Sequence, residues 1–161
     1  MMKYYLAYGS NLNKEQMARR CLDAKPVCKW TMLNYQLAFR RGFLTIEPKE
    51  GAEVPCGVWE ISDHDEKNLD RYEGFPRFYR KEKFLTMVPD PEELTGKLVT
   101  ALAYVMNDGF PLEAPSDQYF YTVMLGYTAF GLDKKPLIEA YERVKWPEDS
   151  TTVSTTKVDQ K

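Results

Sequence analysis

The chain has 161 residues, 43% of them hydrophobic and 29% charged, which is typical of one soluble globular domain, and its apolar runs are far shorter than the roughly 18 residues of a membrane helix. Its 22 Lys and Arg against 24 Asp and Glu give a net charge of -2, which argues against a general nucleic-acid-binding surface. Three cysteines make no disulfide framework and favour a reducing cytoplasm, and a single histidine, His64, leaves zinc, haem and catalytic-triad chemistry without their usual ligand or base.

The first half of the chain predicts short strands around one small helix. An apolar run stops abruptly at Gly9, as a buried strand would, and Asn13 is placed to cap a helix, with Gln16 in the position of a capping box. The dipeptide Glu50-Gly51 favours a turn between two strands. The strands predicted in this half span residues 4–8, 30–39, 43–46 and 54–61.

The second half begins and ends with helix signals. Ser62 is placed to begin a helix that Gly74 ends, and Ser116 begins another that ends at Gly131. Pro136 stands at the first position of a last helix. The strands predicted in this half span residues 78–88 and 98–106, joined by an exposed loop over residues 89–97.

The order of these elements lacks the strict strand–helix alternation of a doubly wound sheet. It therefore predicts an α+β domain with a mixed or barrel-like sheet and a few surrounding helices. This single domain is predicted over residues 1–147. Residues 148–161 contain no aromatic residue and many Ser and Thr, which predicts a C-terminal tail whose β-branched run is compatible with an edge strand.

The sequence motifs of common enzyme classes are absent. The patterns GxxxxGK[ST], GxGxxG, CxxC, HExxH and GxSxG do not occur in the sequence. The cysteines are interpreted as small buried hydrophobic residues, because a catalytic cysteine needs a histidine partner. His64 lies in a charged run and is interpreted as a solvated residue, and the pair Arg40-Arg41 as a solvated strand end.

Two features are candidates for a chemical role, although each alone is also typical of an ordinary structural element. The turn at Gly9 and Ser10 directs several backbone N–H groups to one point, which suits a carboxylate or an oxyanion. Glu73 is the last residue of a predicted helix, where the negative end of the helix dipole raises the pKa of a carboxyl group. Such a glutamate is a candidate general acid and base. The alternatives are an ordinary strand-to-helix turn and a surface glutamate.

Three motifs follow each other in the chain: Tyr-Gly-Ser-Asn-Leu at residues 8–12, Leu-Asp-Arg-Tyr-Glu-Gly at residues 69–74 and Pro-Ser-Asp-Gln-Tyr at residues 115–119. Together they resemble the γ-glutamylcyclotransferase-like family, over roughly residues 4–146. The resemblance implies an α+β fold around a mixed β-barrel. It also implies an enzyme that cyclises a γ-glutamyl amide to 5-oxoproline, with release of an amino acid or amine and without a metal or cofactor.

The same resemblance implies roles for particular residues. Glu73 matches the catalytic glutamate of the family, as general acid and base. The substrate-binding residues that it implies are Tyr8, Gly9, Ser10, Asn11, Tyr79 and Tyr119. The expected partner is a small γ-glutamyl compound, with no nucleic acid and no membrane, and the expected state is a monomer or a homodimer.

Two alternatives follow from the same motifs. One is a non-catalytic binding module for a γ-glutamyl-like metabolite. The other concerns the leaving group, which is an amino acid or an amine. Phe75, Phe78 and Phe110 predict an apolar rim and so favour a bulky or apolar leaving group.

Overall fold

The computed structural model describes residues 2–146, which fold into a mixed β-sheet with helices packed around it. The predicted tail over residues 148–161 lies outside the described residues. The strands are β1 (Met2–Ala7), β2 (Lys25–Arg40), β3 (Phe43–Ser62), β4 (Tyr79–Asp90) and β5 (Glu93–Met106). The helices are α1 (Lys14–Arg20), α2 (Asp63–Glu73), α3 (Asp117–Phe130) and α4 (Lys135–Lys145), and a short 3-10 turn (Ser10–Leu12) precedes α1.

The five strands are arranged in the order β2-β3-β1-β5-β4. The central strand β1 runs parallel to β5 and antiparallel to β3, and the two outer pairs are antiparallel. Leu6 and Ala7 at the end of β1 are buried, as the apolar run at the start of the chain predicts. The predicted α+β class with a mixed sheet is therefore confirmed.

The sheet curls strongly, but it does not close into the barrel that the family resemblance implies. The edge strands β2 and β4 approach each other through side chains, with the rings of Tyr35 and Phe84 5.5 Å apart and the Cys28 thiol 3.9 Å from the Met87 carbonyl. Within residues 2–146 no backbone ladder joins these two strands. Hydrogen-bonded strands lie about 4.8 Å apart. The aromatic rings occupy the space between β2 and β4, so these two strands do not come that close.

The long hairpin of β2 and β3 differs from the predicted short strands. Residues 43–62 form one strand, which pairs with β2 on both sides of an unpaired stretch, residues 49–52, that contains Gly51. Its N–H donates a hydrogen bond of 3.0 Å to Oδ1 of Asn34, beside the register shift between Leu33 and Tyr35. Likewise, the exposed loop predicted over residues 89–97 is mostly strand, since β4 and β5 pair up to Asp90 and Glu93.

The predicted caps of the first two helices are confirmed with one exception. Ser62 and Asp65 form a reciprocal capping box at the start of α2, and Gly74 ends that helix. The Asn13 side chain accepts a hydrogen bond of 3.0 Å from the N–H of Gln16. The Gln16 side chain does not return a hydrogen bond, and its buried Oε1 has no partner among the described residues.

The last two helices also have the predicted ends. The Ser116 side chain caps α3, and beyond Gly131 the N–H of Leu132 closes the helix on the Tyr127 carbonyl at 2.9 Å. Pro136 lies in the first turn of α4. No helix in the described part of the chain has the length and apolar composition that crossing a membrane requires.

Candidate active site

A cavity of about 170 Å³ opens between the turn after β1, the end of α2 and the β2–β3 hairpin. All seven residues singled out as candidate site residues line this cavity, although they come from distant parts of the sequence. They are Glu73, Tyr8, Gly9, Ser10, Asn11, Tyr79 and Tyr119. The fold thus places them together, while the role of each stays a prediction.

Five further residues line the cavity that sequence reasoning did not assign to it: Arg41, Phe43, Leu44, Tyr72 and Tyr104. The sequence did give an indication for Tyr72, because this residue directly precedes Glu73 within the motif at residues 69–74. The interpretation of Arg41 as a solvated strand end is corrected, since this side chain lines the cavity and contacts three phenylalanine rings.

The turn after β1 carries Gly9, Ser10 and Asn11 into the cavity. It is built by two hydrogen bonds of 3.0 Å, from the N–H of Leu12 to the Gly9 carbonyl and from the N–H of Asn13 to the Ser10 carbonyl. The first backbone N–H groups of such a turn have no acceptor within the turn itself. They are therefore the donors that the turn offers to a ligand. The predicted anion-binding turn therefore faces the cavity.

Glu73 ends α2 and lines the cavity, as the position of Gly74 predicts. Burial raises the pKa of its carboxyl group to about 8, and the positive charge of Arg20 opposes that rise. The predicted direction of the pKa shift is confirmed. Its main cause is burial of the carboxyl and not the helix dipole. A carboxyl group with such a pKa exchanges its proton near neutral pH, which suits a general acid and base.

Asn11 holds this carboxyl group in place. Its Nδ2 donates hydrogen bonds to Glu73 Oε2 at 3.3 Å and to the Tyr5 hydroxyl at 2.9 Å. Its Oδ1 accepts from the guanidinium of Arg20, and its backbone carbonyl accepts from the Trp59 indole at 3.0 Å. The Asn11 side chain is thus held by Tyr5 and Arg20, and it orients one oxygen of the Glu73 carboxyl.

The pH dependence of stability provides a test of the buried carboxyl. In the folded state Glu73 keeps its proton up to about pH 8, while in the unfolded state it loses it near the ordinary value of 4.5. The stability that this group contributes is therefore complete below pH 4.5 and is lost as the pH rises through 8. We expect the Tm of Glu73→Gln minus that of the wild type to increase over this interval. Thermal melts across the interval measure it.

Glu92→Gln is the matched control for this pH series. Glu92 is exposed in the β4–β5 turn, so its neutralisation should leave the Tm difference independent of pH. A flat Tm difference for Glu73→Gln as well would contradict the raised pKa.

Three of the tyrosines that line the cavity are held as neutral hydroxyls. Burial raises the pKa of Tyr8, Tyr79 and Tyr119. The Tyr79 hydroxyl donates to the Leu44 carbonyl at 2.9 Å, and the Tyr119 hydroxyl accepts from the Leu44 N–H at 3.2 Å. Because Tyr119 accepts that hydrogen bond, its own hydroxyl proton is free to be donated to a ligand in the cavity.

Tyr119→Phe tests how much the hydroxyl group of this tyrosine contributes to the stability of the fold. The substitution leaves the buried N–H of Leu44 without its acceptor, so we expect the free energy of unfolding to fall by about 1–3 kcal/mol. Urea denaturation measures this loss, with the exposed Tyr121→Phe on the same helix as the matched control. If KM also increases under conditions in which the variant is fully folded, Tyr119 contacts the substrate as well. An unchanged unfolding curve would contradict the structural role.

The remaining candidate nucleophiles lie away from this chemistry. Cys21 and Cys56 are buried, and burial raises the pKa of both thiols to about 12, which confirms their interpretation as hydrophobic residues. Cys28 is partly buried. His64 is exposed at the start of α2, as predicted.

Comparison with known proteins gives consistent matches. A family model described as "Gamma-glutamyl cyclotransferase, AIG2-like" matches residues 5–122, a span that contains all seven candidate site residues. Human and mouse proteins named gamma-glutamylcyclotransferase are both 26% identical, over 152 residues (88% of this chain and 76% of the human protein) and 142 residues (81% and 73% of the mouse protein). A solved structure described as a gamma-glutamyl cyclotransferase superposes with a TM-score of 0.69 at 25% identity, over 91% of this chain and 88% of that chain.

Proposed function

The chain belongs to the gamma-glutamyl cyclotransferase, AIG2-like family, and from that premise we propose that it is a γ-glutamyl cyclotransferase. It converts a γ-glutamyl amide to 5-oxoproline and releases an amino acid or amine. The observation that carries the proposal is the carboxyl group of Glu73, which has a raised pKa and lines a cavity beside the turn at Gly9 and Ser10. The human and mouse relatives named gamma-glutamylcyclotransferase support it.

The reaction needs few groups from the protein, because the substrate carries its own nucleophile. The α-amine of the γ-glutamyl group attacks its γ-carbonyl carbon, and a C–N bond forms that closes the five-membered lactam. The C–N bond to the leaving amine then breaks, and the leaving nitrogen takes up a proton. Holding both reacting groups of one molecule close together corresponds to effective concentrations of about 10⁵ M or more in well-oriented cases.

Glu73 transfers the proton in this scheme. The ionised carboxylate accepts the proton that the attacking amine loses, and the carboxylic acid then returns it to the departing nitrogen. General acid and base catalysis of this kind contributes roughly 10²–10⁴-fold to the rate. The Asn11 amide, 3.3 Å from Glu73 Oε2, keeps the carboxyl in one orientation during both transfers.

The turn after β1 binds the negative charge of the glutamyl half. The backbone N–H groups of Gly9 and Ser10 hold its α-carboxylate or the oxyanion that develops on the γ-carbonyl. One such donor is worth roughly 3 kcal/mol in the transition state. The neutral hydroxyl of Tyr119 adds a further donor next to this turn.

The test is the release of 5-oxoproline by the purified protein from a panel of γ-glutamyl amino acids and γ-glutamyl amines. We expect turnover with at least one member of the panel. Binding of these compounds without turnover would favour the non-catalytic binding module instead. If the protein neither turns over nor binds any of these compounds, the proposal is overturned, and the cavity is left without its expected small-molecule partner.

A further inference from the structure

Arg41 occupies a turn position that disfavours its side chain. Arg40 pairs with Phe43, so Arg41 and Gly42 form a two-residue hairpin turn between β2 and β3. Both have positive φ, of 59° and 83°, which is the left-handed conformation that Asn-Gly or Gly-Gly adopts most easily. Backbone strain of this kind persists mainly where the surrounding structure uses the residue.

The guanidinium of Arg41 is held by aromatic rings and has no anionic partner in the described part of the chain. It lies 4.1 Å from the centre of the Phe78 ring, 5.2 Å from Phe43 and 5.4 Å from Phe110. Its Nε is buried without a hydrogen-bond acceptor, and no carboxylate of residues 2–146 lies within ion-pair distance of it. The neighbouring Arg40, in contrast, pairs with Glu47.

A guanidinium that lines a cavity and has no carboxylate partner among residues 2–146 is available to pair with an anion that binds there. Arginine presents its donors as a planar fork that fits a carboxylate with two parallel hydrogen bonds. Because Arg41 lines the cavity, a carboxylate that pairs with it in this way would belong to a molecule bound in the cavity.

The location of Arg41 assigns it to the leaving half of the substrate. Its backbone N–H donates to the Pro111 carbonyl at 3.1 Å, and two of its ring contacts, Phe78 and Phe110, belong to the predicted rim. The cation whose charge acts on the Glu73 carboxyl is Arg20, while the charge of Arg41 acts on the Tyr79 hydroxyl. Arg41 is thus part of the rim and not of the proton-transfer group.

We propose that Arg41 binds a carboxylate on the leaving group, so that the substrates are γ-glutamyl amino acids in preference to γ-glutamyl amines. This inference rests on the proposed cyclotransferase function and narrows its substrate class. It also revises the expectation of an apolar rim, because Phe78 and Phe110 contact the Arg41 cation and Phe75 contacts Lys81.

The test uses two substrates that differ only in this carboxylate, γ-glutamyl-alanine and γ-glutamyl-ethylamine. We expect the wild type to prefer γ-glutamyl-alanine by roughly ten- to a hundredfold in kcat/KM, the range for a hydrogen bond to a charged group. Arg41→Asn suits the left-handed turn, and it should bring the ratio close to one. Arg41→Lys keeps the charge without the planar fork and should give an intermediate ratio.

Arg71→Gln is the matched control, since it removes an exposed positive charge from α2 and should keep the wild-type ratio. Thermal melts show whether each variant is folded. A wild-type ratio near one, or an equal loss with both substrates in Arg41→Asn, would overturn the inference while turnover itself upholds the proposed function. No 5-oxoproline from either substrate would overturn the proposed function, and this inference with it.

Discussion

Glu73→Gln is expected to fold like the wild type and to form 5-oxoproline about 10²–10⁴-fold more slowly. Glutamine has the shape of glutamate and keeps a side-chain oxygen that can accept the hydrogen bond from Asn11. It cannot accept the proton of the attacking amine or return it to the leaving nitrogen. The measurement is kcat for 5-oxoproline release, with KM determined in the same series.

The pattern of the loss separates proton transfer from binding. A decrease in kcat with little change in KM indicates that Glu73 acts in the transition state, whereas a change in KM alone would indicate a binding role. Glu92→Gln, in the exposed β4–β5 turn, should retain wild-type kinetics. A folded Glu73→Gln protein with wild-type kcat would remove this residue from the mechanism.

Gly126→Ala is expected to lower both stability and activity, although Gly126 does not line the cavity. A Cβ at this buried position would lie 2.7 Å from the backbone N of Asn13 and 2.7 Å from the backbone C of Leu12. Since these are backbone atoms, α3 and the turn after β1 must move apart. Overpacking of this kind costs about 1–3 kcal/mol in the free energy of unfolding.

The expected loss of activity follows from the location of that turn. Asn11 lies in the turn and holds the Glu73 carboxyl, and a displacement of about 1 Å between reacting groups can lower a rate about 10²-fold. Urea denaturation and kcat for 5-oxoproline release measure the two effects. Thr128→Ala, at an exposed position of the same helix, should change stability by less than about 0.5 kcal/mol. Wild-type stability and kcat in Gly126→Ala would show that the helix and the turn adjust without affecting the site.

Part of the candidate site could be proposed from local signals, and the family resemblance supplied the other residues, among them Tyr79 and Tyr119. Glu73 was identified from its position one residue before a glycine that ends a helix, and Gly9 and Ser10 from the abrupt end of an apolar run. The role of Arg41 was not predictable from its neighbours. Arg40 and Arg41 are the same residue type side by side, and their different partners distinguish them: Glu47 for Arg40, and for Arg41 the rings of Phe78 and Phe110, which are far away in sequence.

The strands show the same difference between local and distant causes. Glu50-Gly51 carries a turn signal, but the chain stays in β3 there, because β3 pairs with β2 on both sides of residues 49–52 and because Asn34 accepts the N–H of Gly51. The residues of a strand are stabilised by a partner strand, so its length depends on a segment that local sequence does not specify. The loop predicted over residues 89–97 was too long for the same reason.

The sequence by itself determined where the helices begin and end, which turn follows β1 and which carboxyl group ends α2. Each of these depends on contacts between residues three or four positions apart, such as Ser62 with Asp65. Only the tertiary structure decided that burial sets the Glu73 pKa, that Arg41 faces the cavity and that the sheet stays open. These properties depend on burial and strand pairing, which join segments far apart in the chain.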